Sequence, residues 1–163
     1  MALDDPALPD LFEAYARSIL VQYPELRARW HVTSRGRGRW LTVPKRDDAG
    51  FDVVVQAETD GLYPFAGDWH GAPWDAGIGG ERDEDLCVRF MGFVRSLLCE
   101  DSRLDVAYAG TRPYRWVLTY RTEEGTESET TGSLFFNYFA KRTRRTFQNR
   151  HPSSRYQRAA SPT

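Results

Sequence analysis

FDVVVQAETDGLYPF, residues 51–65, is the stretch whose reading decides the fold. β-Branched residues crowd its first part, Asp60-Gly61 supplies a chain reversal, and residues 62–65 start a returning strand. Pro64 lacks an N–H, so it belongs at an edge of that pairing. The unit is an antiparallel hairpin. Upstream, residues 30–33 and 39–43 flank RGRG, a glycine-permitted tight turn, and read as a second hairpin. Before it, Asp10 followed by Glu13 resembles a capping box. Leu11, Tyr15, Ile19 and Gln22 fall on one helical stripe, widened by Phe12 and Leu20, and Pro24 stops the pattern.

Downstream, the acidic run ERDED at 81–85 suits a helix N-terminus. Leu86, Phe90, Phe93, Val94 and Leu97 follow at helical spacing, with Cys87, Val88, Met91 and Leu98 also apolar, which marks the central packed helix. Residues 104–108, 114–121 and 127–136 read as strands. In the second of these Tyr114, Trp116, Leu118 and Tyr120 should face the core, and Arg115, Val117, Thr119 and Arg121 should be partly exposed. Over residues 137–150, Phe136, Phe139, Ala140, Thr143 and Phe147 offer a helical face against Lys141, Arg142, Arg144 and Arg145, so a basic amphipathic helix is expected there. The expected fold is α+β, with an antiparallel sheet of about five or six strands packed against two main helices and a basic C-terminal helix added. Residues 1–150 form one domain in this reading, and 151–163 a flexible tail.

The composition is globular, with 40% hydrophobic and 28% charged residues. The first dozen residues carry no basic n-region or apolar h-region, and no run of about 18 apolar residues occurs, so a cytoplasmic protein with no membrane partner is expected. Cys87 and Cys99 lie twelve residues apart in one expected helix, too far for a bridge, and read as reduced core thiols. Basic residues are Arg except for Lys45 and Lys141, and Ile occurs at 19 and 78 alone, a bias that suits a GC-rich bacterial genome. The net charge of −1 hides a division: residues 1–130 sum to −8, and residues 131–163 carry seven basic and no acidic side chains. Such asymmetry points to contact between the basic end and an acidic surface.

Residues 61–80 place Tyr63, Phe65, Trp69 and Trp74 among six glycines, with Asp68, His70 and Asp75 interleaved. Large rings with polar handles dominate protein interfaces, so these seven residues are the expected site for a protein partner. Acids from Asp47 and Asp48 through Asp52, Glu58 and Asp60 to Asp68 and Asp75 favour a basic partner, as immunity-type proteins that neutralise toxins require. The alternative is a nucleic-acid partner held by Lys141, Arg142, Arg144, Arg145 and Arg150 with interleaved aromatics. Against it stands a sequence pI near 6.3, well below the usual range of such domains. A third reading makes His70 a general base oriented by Asp68 or Asp75. No nucleophile elbow, phosphate loop or paired-carboxylate motif accompanies that histidine, and no His or Cys spacing suits a metal, so neither cofactor nor metal is expected. Unpaired strand edges also permit a homodimer.

Overall fold

The computed structural model describes residues 7–33, 36–75, 81–122, 124–133 and 137–150. In chain order these form α1 (Leu8–Leu20), a 3-10 turn (Pro24–Leu26), β1 (Arg29–Val32), β2 (Arg39–Val43), β3 (Val53–Glu58), β4 (Gly61–Ala66), β5 (Trp69–His70) and β6 (Trp74–Asp75). There follow α2 (Asp83–Leu98), β7 (Arg103–Ala109), β8 (Arg112–Arg121), β9 (Thr126–Gly132) and β10 (Arg142–Phe147). The fold is α+β, but its strands make two antiparallel sheets where one was expected: a six-stranded sheet ordered β1-β2-β3-β4-β5, with β6 also on β4, and a four-stranded sheet ordered β10-β7-β8-β9.

The basic C-terminal helix does not form. Arg142–Phe147 is instead an edge strand that pairs with β7 along its whole length, Arg142 opposite Ala109 and Phe147 opposite Leu104. Backbone groups of this segment are satisfied by a neighbour some forty residues earlier in the chain, and that long-range pairing outweighs the helical spacing of Phe139, Thr143 and Phe147. The expected tail, 151–163, lies outside the described residues, as do 76–80 of the aromatic segment and 134–136 at the end of the last expected strand.

The hairpin at 51–66 forms, with its reversal one residue earlier than expected: Glu58 faces Gly61 across a two-residue turn at Thr59-Asp60. Gly61 is then the first residue of β4, and a Cβ there would lie 2.9 Å from the Trp74 carbonyl oxygen, so the close approach of β6 requires glycine. Pro64 pairs opposite Val55 in the non-hydrogen-bonded position, so its missing N–H faces away from β3. On that outer side its carbonyl still accepts from Gly71 N at 3.0 Å. Past Gly71 the register slips by one residue before β6, so β5 and β6 are one strand broken by a bulge at 71–73.

The capping box also resolves differently. Ala7 is the N-cap and makes no side-chain cap bond. Asp10 and Glu13 bind Arg39 instead, with Arg39 Nε donating to Glu13 Oε2 at 2.7 Å, and so tie α1 to β2. The buried stripe of α1 is Leu8, Phe12, Ala16 and Leu20; Leu11 and Tyr15 flank it and line a shallow groove against Glu84, Asp85, Cys87 and Val88 of α2.

Both helices cover the same side of the six-stranded sheet, because its inward residues Leu41, Val53, Val55, Leu62, Ala66 and Trp69 share one core cluster with Phe12, Phe90, Val94 and Leu97. Leu104, Val106, Leu118 and Tyr120 bring the four-stranded sheet into that cluster. Ring contacts run without a break through Trp30, Phe12, Phe90, Trp74, Phe93 and Tyr120, from β1 to β8. Asn149 fastens the far side: its buried amide accepts from Phe51 N at 3.0 Å and donates to the carbonyls of Phe51 and Leu97.

Candidate functional site

Strand alternation divides residues 61–75 between two faces. Leu62, Pro64, Ala66 and Trp69 are buried on the helix side, whereas Tyr63, Phe65 and His70 project from the opposite face. Trp69 has no exposure at all, and Trp74 packs against Phe90 at 5.1 Å and Phe93 at 5.6 Å, under the Arg89 guanidinium. Of the two tryptophans expected to grip a partner, Trp69 is thus a core residue and Trp74 is half-buried against the core. The glycine-rich context suggested a loop, but Gly67, at φ 57°, makes a two-residue hairpin turn with Asp68, and the chain on either side is strand.

The registers assemble an outer surface that no single segment carries. One cross-strand row runs His31, Trp40, Gln56, Tyr63; the next runs Arg29, Thr42, Val54, Phe65, His70. Trp40 is 38% exposed, and Trp40, Val54, Tyr63 and Phe65 take no part in the core cluster. Neighbours within each row stand about 5 Å apart and diagonal neighbours about 7–8 Å, so Val54 lies beside Phe65 and diagonal to Trp40 and Tyr63, and the four make an apolar patch around Gln56. Trp40, Val54 and His31 were not among the expected site residues. The signal was present in RWLTV, since Leu41 and Val43 facing inward force Trp40 and Thr42 outward.

Carboxylates close both ends of the patch. Glu58 and Asp75 flank Gly61 in one register row, with Asp60 in the adjoining turn, and Gln56 Nε2 donates to Glu58 at 2.9 Å. Burial, a hydrogen bond to Asp60 and the charges of Asp60, Asp75 and Glu58 together push the Tyr63 phenol above its ordinary value. At the other end lie Asp68 and Asp52; Gly67 N donates to the Asp52 carbonyl at 2.8 Å, while the Asp52 carboxylate accepts from Lys45 N. Among strand positions of this face the one cation is Arg29.

His70 does not meet an orienting acid. Its partner on β4 is Phe65 and that of Asp75 is Gly61, four residues apart, which is about 13 Å along the strand. Among the described residues its ring makes no hydrogen bond to Asp68 or Asp75; its carbonyl accepts from Thr131 Oγ1 at 2.7 Å. Cys87 and Cys99 are free and buried, and burial pushes each thiol up to about 11 with acids nearby, so both stay protonated near neutrality. No group of three or more metal-ligating side chains occurs among the described residues. No described helix is long and apolar enough to cross a membrane.

The basic segment is divided as well. Arg142 and Arg144 project from the outer face of the four-stranded sheet, whereas Arg145 lies on the other side, over the Tyr108 ring at 5.6 Å. Lys141 and Arg150 are exposed, and their backbone carbonyls accept from Gly110 N and Arg46 Nη1. Within the chain the acidic surface met by this basic end is Asp105, bound by Arg144 at 2.6 Å, whereas Glu81 binds Arg89 and Asp85 binds Arg82. The chain matches no protein-family model, no curated protein and no solved structure.

Proposed function

We propose that this protein is a non-catalytic, cytoplasmic bacterial binding module of immunity type, which holds a basic protein partner against the outer face of its six-stranded sheet. The observation that carries this reading is the outer-face group of exposed Trp40 and half-buried Val54, Tyr63 and Phe65, bounded by Glu58, Asp60 and Asp75 at one end and Asp52 and Asp68 at the other. Aromatic anchors at the centre of a patch supply most of the binding energy, and rim charges of one sign speed encounter with a partner of the other. Within the expected site, Tyr63, Phe65, Asp68, His70 and Asp75 keep the binding role, while Trp69 and Trp74 support the sheet from beneath.

The test is capture of the tagged protein from its native host, identification of a stoichiometric partner, and titration with that partner purified. Trp40→Ala and Tyr63→Ala should each weaken the purified complex at least tenfold without changing the circular dichroism spectrum. Unchanged affinity in both variants would refute the assignment of this face.

A further inference from the structure

The outer face of the four-stranded sheet has a chemistry of its own. Register and alternation place Arg142, Ala109 and Arg112 in one cross-strand row and Arg144, Ala107 and Arg115 in the next. The rows following hold Thr146, Asp105, Val117 and Thr130, then Arg103, Thr119 and Ser128, and Arg121 stands opposite Thr126 beyond them. Among the described residues six arginines therefore share a face with a single carboxylate, Asp105, which is buried beneath Arg103 at 3.1 Å and Arg144 at 2.6 Å. The acids of β9 are kept off this face: Glu127 and Glu129 turn to the other side, where both accept from the Tyr120 hydroxyl. No acid partners Arg112, Arg115 or Arg121 among the described residues.

The shape of the face adds to its charge. Arg142 and Arg144 are two residues apart on β10, about 7 Å, and β8 lies two strand spacings away, about 10 Å, with β7 between them. Along β7 the side chains between these arginine pairs are Ala109 and Ala107, so the pairs wall a shallow trough with a floor of methyl groups. At the trough's end the turn before β10 carries Tyr138, 65% exposed, and Phe139, 99% exposed. That turn abuts the β7–β8 connection: Gly110 N donates to the Lys141 carbonyl at 2.8 Å. A phenylalanine ring wholly in water contributes nothing to the fold.

We infer that this trough binds single-stranded nucleic acid, with Arg112, Arg115, Arg142 and Arg144 on successive phosphates and Phe139, beside Tyr138, stacking on an unpaired base. Arginine forks match phosphate oxygens bidentately, the hydroxyls of Thr119, Ser128, Thr130 and Thr146 offer further contacts, and stacking accepts any base. An acidic peptide would use the arginines but leave the ring idle, which is why the nucleic acid is the favoured occupant. This surface belongs to the other sheet and shares no residue with the protein-binding patch, so either assignment can fail without the other.

The experiment is fluorescence anisotropy of the full chain against a labelled single-stranded DNA of mixed sequence, over a series of salt concentrations. Binding should weaken with salt with a log–log slope near −2.8, about 0.7 for each of four phosphates. Arg112→Gln combined with Arg115→Gln, exposed residues whose loss leaves no buried charge, should weaken binding at least tenfold and reduce the slope by about 1.4. Phe139→Ala should weaken it about fivefold or more at unchanged slope. Absence of binding, a slope and affinity unaltered by the arginine pair, or indifference to Phe139→Ala would overturn the inference. So would stronger binding of duplex DNA, or displacement of the strand by poly-glutamate at equal charge.

Discussion

The six-stranded and the four-stranded sheet share one core and differ almost completely in what they turn outward. The first shows rings and branched side chains with carboxylates at its ends; the second shows arginine and hydroxyl side chains around one buried aspartate. A net charge of −1 describes neither face. Charge is sorted here by strand alternation as well as by position in the chain, because β9 sends Thr126, Ser128 and Thr130 one way and Glu127 and Glu129 the other. An overall pI near neutrality therefore says little about whether a chain of this kind carries a cationic surface.

The sharpest way to break the contrast between inner and outer tryptophans is to truncate one of each. Trp69→Ala should destabilise the fold by about 3–5 kcal/mol, read as a large fall in denaturation midpoint, because it empties a fully buried site. Trp69→Phe should recover much of that loss, since among the described residues Trp69 Nε1 has no hydrogen-bond acceptor to forfeit. Next in size is the link between the sheets. Asn149→Ala strands Phe51 N and the Phe51 and Leu97 carbonyls in the interior, and should cost about 3 kcal/mol by urea denaturation. Gly50→Ala should reproduce part of that effect, because a Cβ there would lie 2.5 Å from Asn149 Oδ1.

Acid should act on the cationic sheet through Asp105. Burial raises its carboxyl, but the Thr146 hydroxyl and Arg144, with the Arg103 charge, more than offset that and hold it below the ordinary value. A depressed folded value stabilises the protein above the unfolded value of about 4, and the stabilisation is lost as pH falls through the folded one. Asp105→Asn should cost about 1–2 kcal/mol at neutral pH, and its melting curve should converge with that of the unaltered protein under acid. The smallest effect belongs to the outer tryptophan: Trp40→Ala should cost about 1 kcal/mol or less while removing a partner contact.

These contrasts also mark what could be seen in the sequence. Local patterns placed α1, α2 and the first four strands, because hairpin pairing and helical stripes depend on residues close in the chain. The prediction for 114–121 held in part: Leu118 and Tyr120 are buried and Arg115 and Arg121 exposed, whereas Tyr114 and Trp116, also expected in the core, are half-buried. The C-terminal strand was hidden, since RTRRTF has a helix-compatible spacing and its partner β7 lies far upstream. Strands β7, β8 and β9 were legible, but not that they pair among themselves apart from β1–β6, because the same alternation serves one sheet or two. Tyr63 and Phe65 were legible as surface candidates, but the burial of Trp69 depended on reading Gly67-Asp68 as a hairpin turn within a glycine-rich run. The arginine trough could not be assembled without the registers of three strands.

The most direct measurement of the proposed function places a photo-crosslinking amino acid at Tyr63 in one variant and at Thr119 in another, and irradiates both in the native host. Tyr63 lies on the aromatic patch, and Thr119 on the cationic face. The account predicts a covalent adduct with one basic protein from position 63 and no such adduct from position 119. A protein adduct from position 119 with none from position 63 would contradict it.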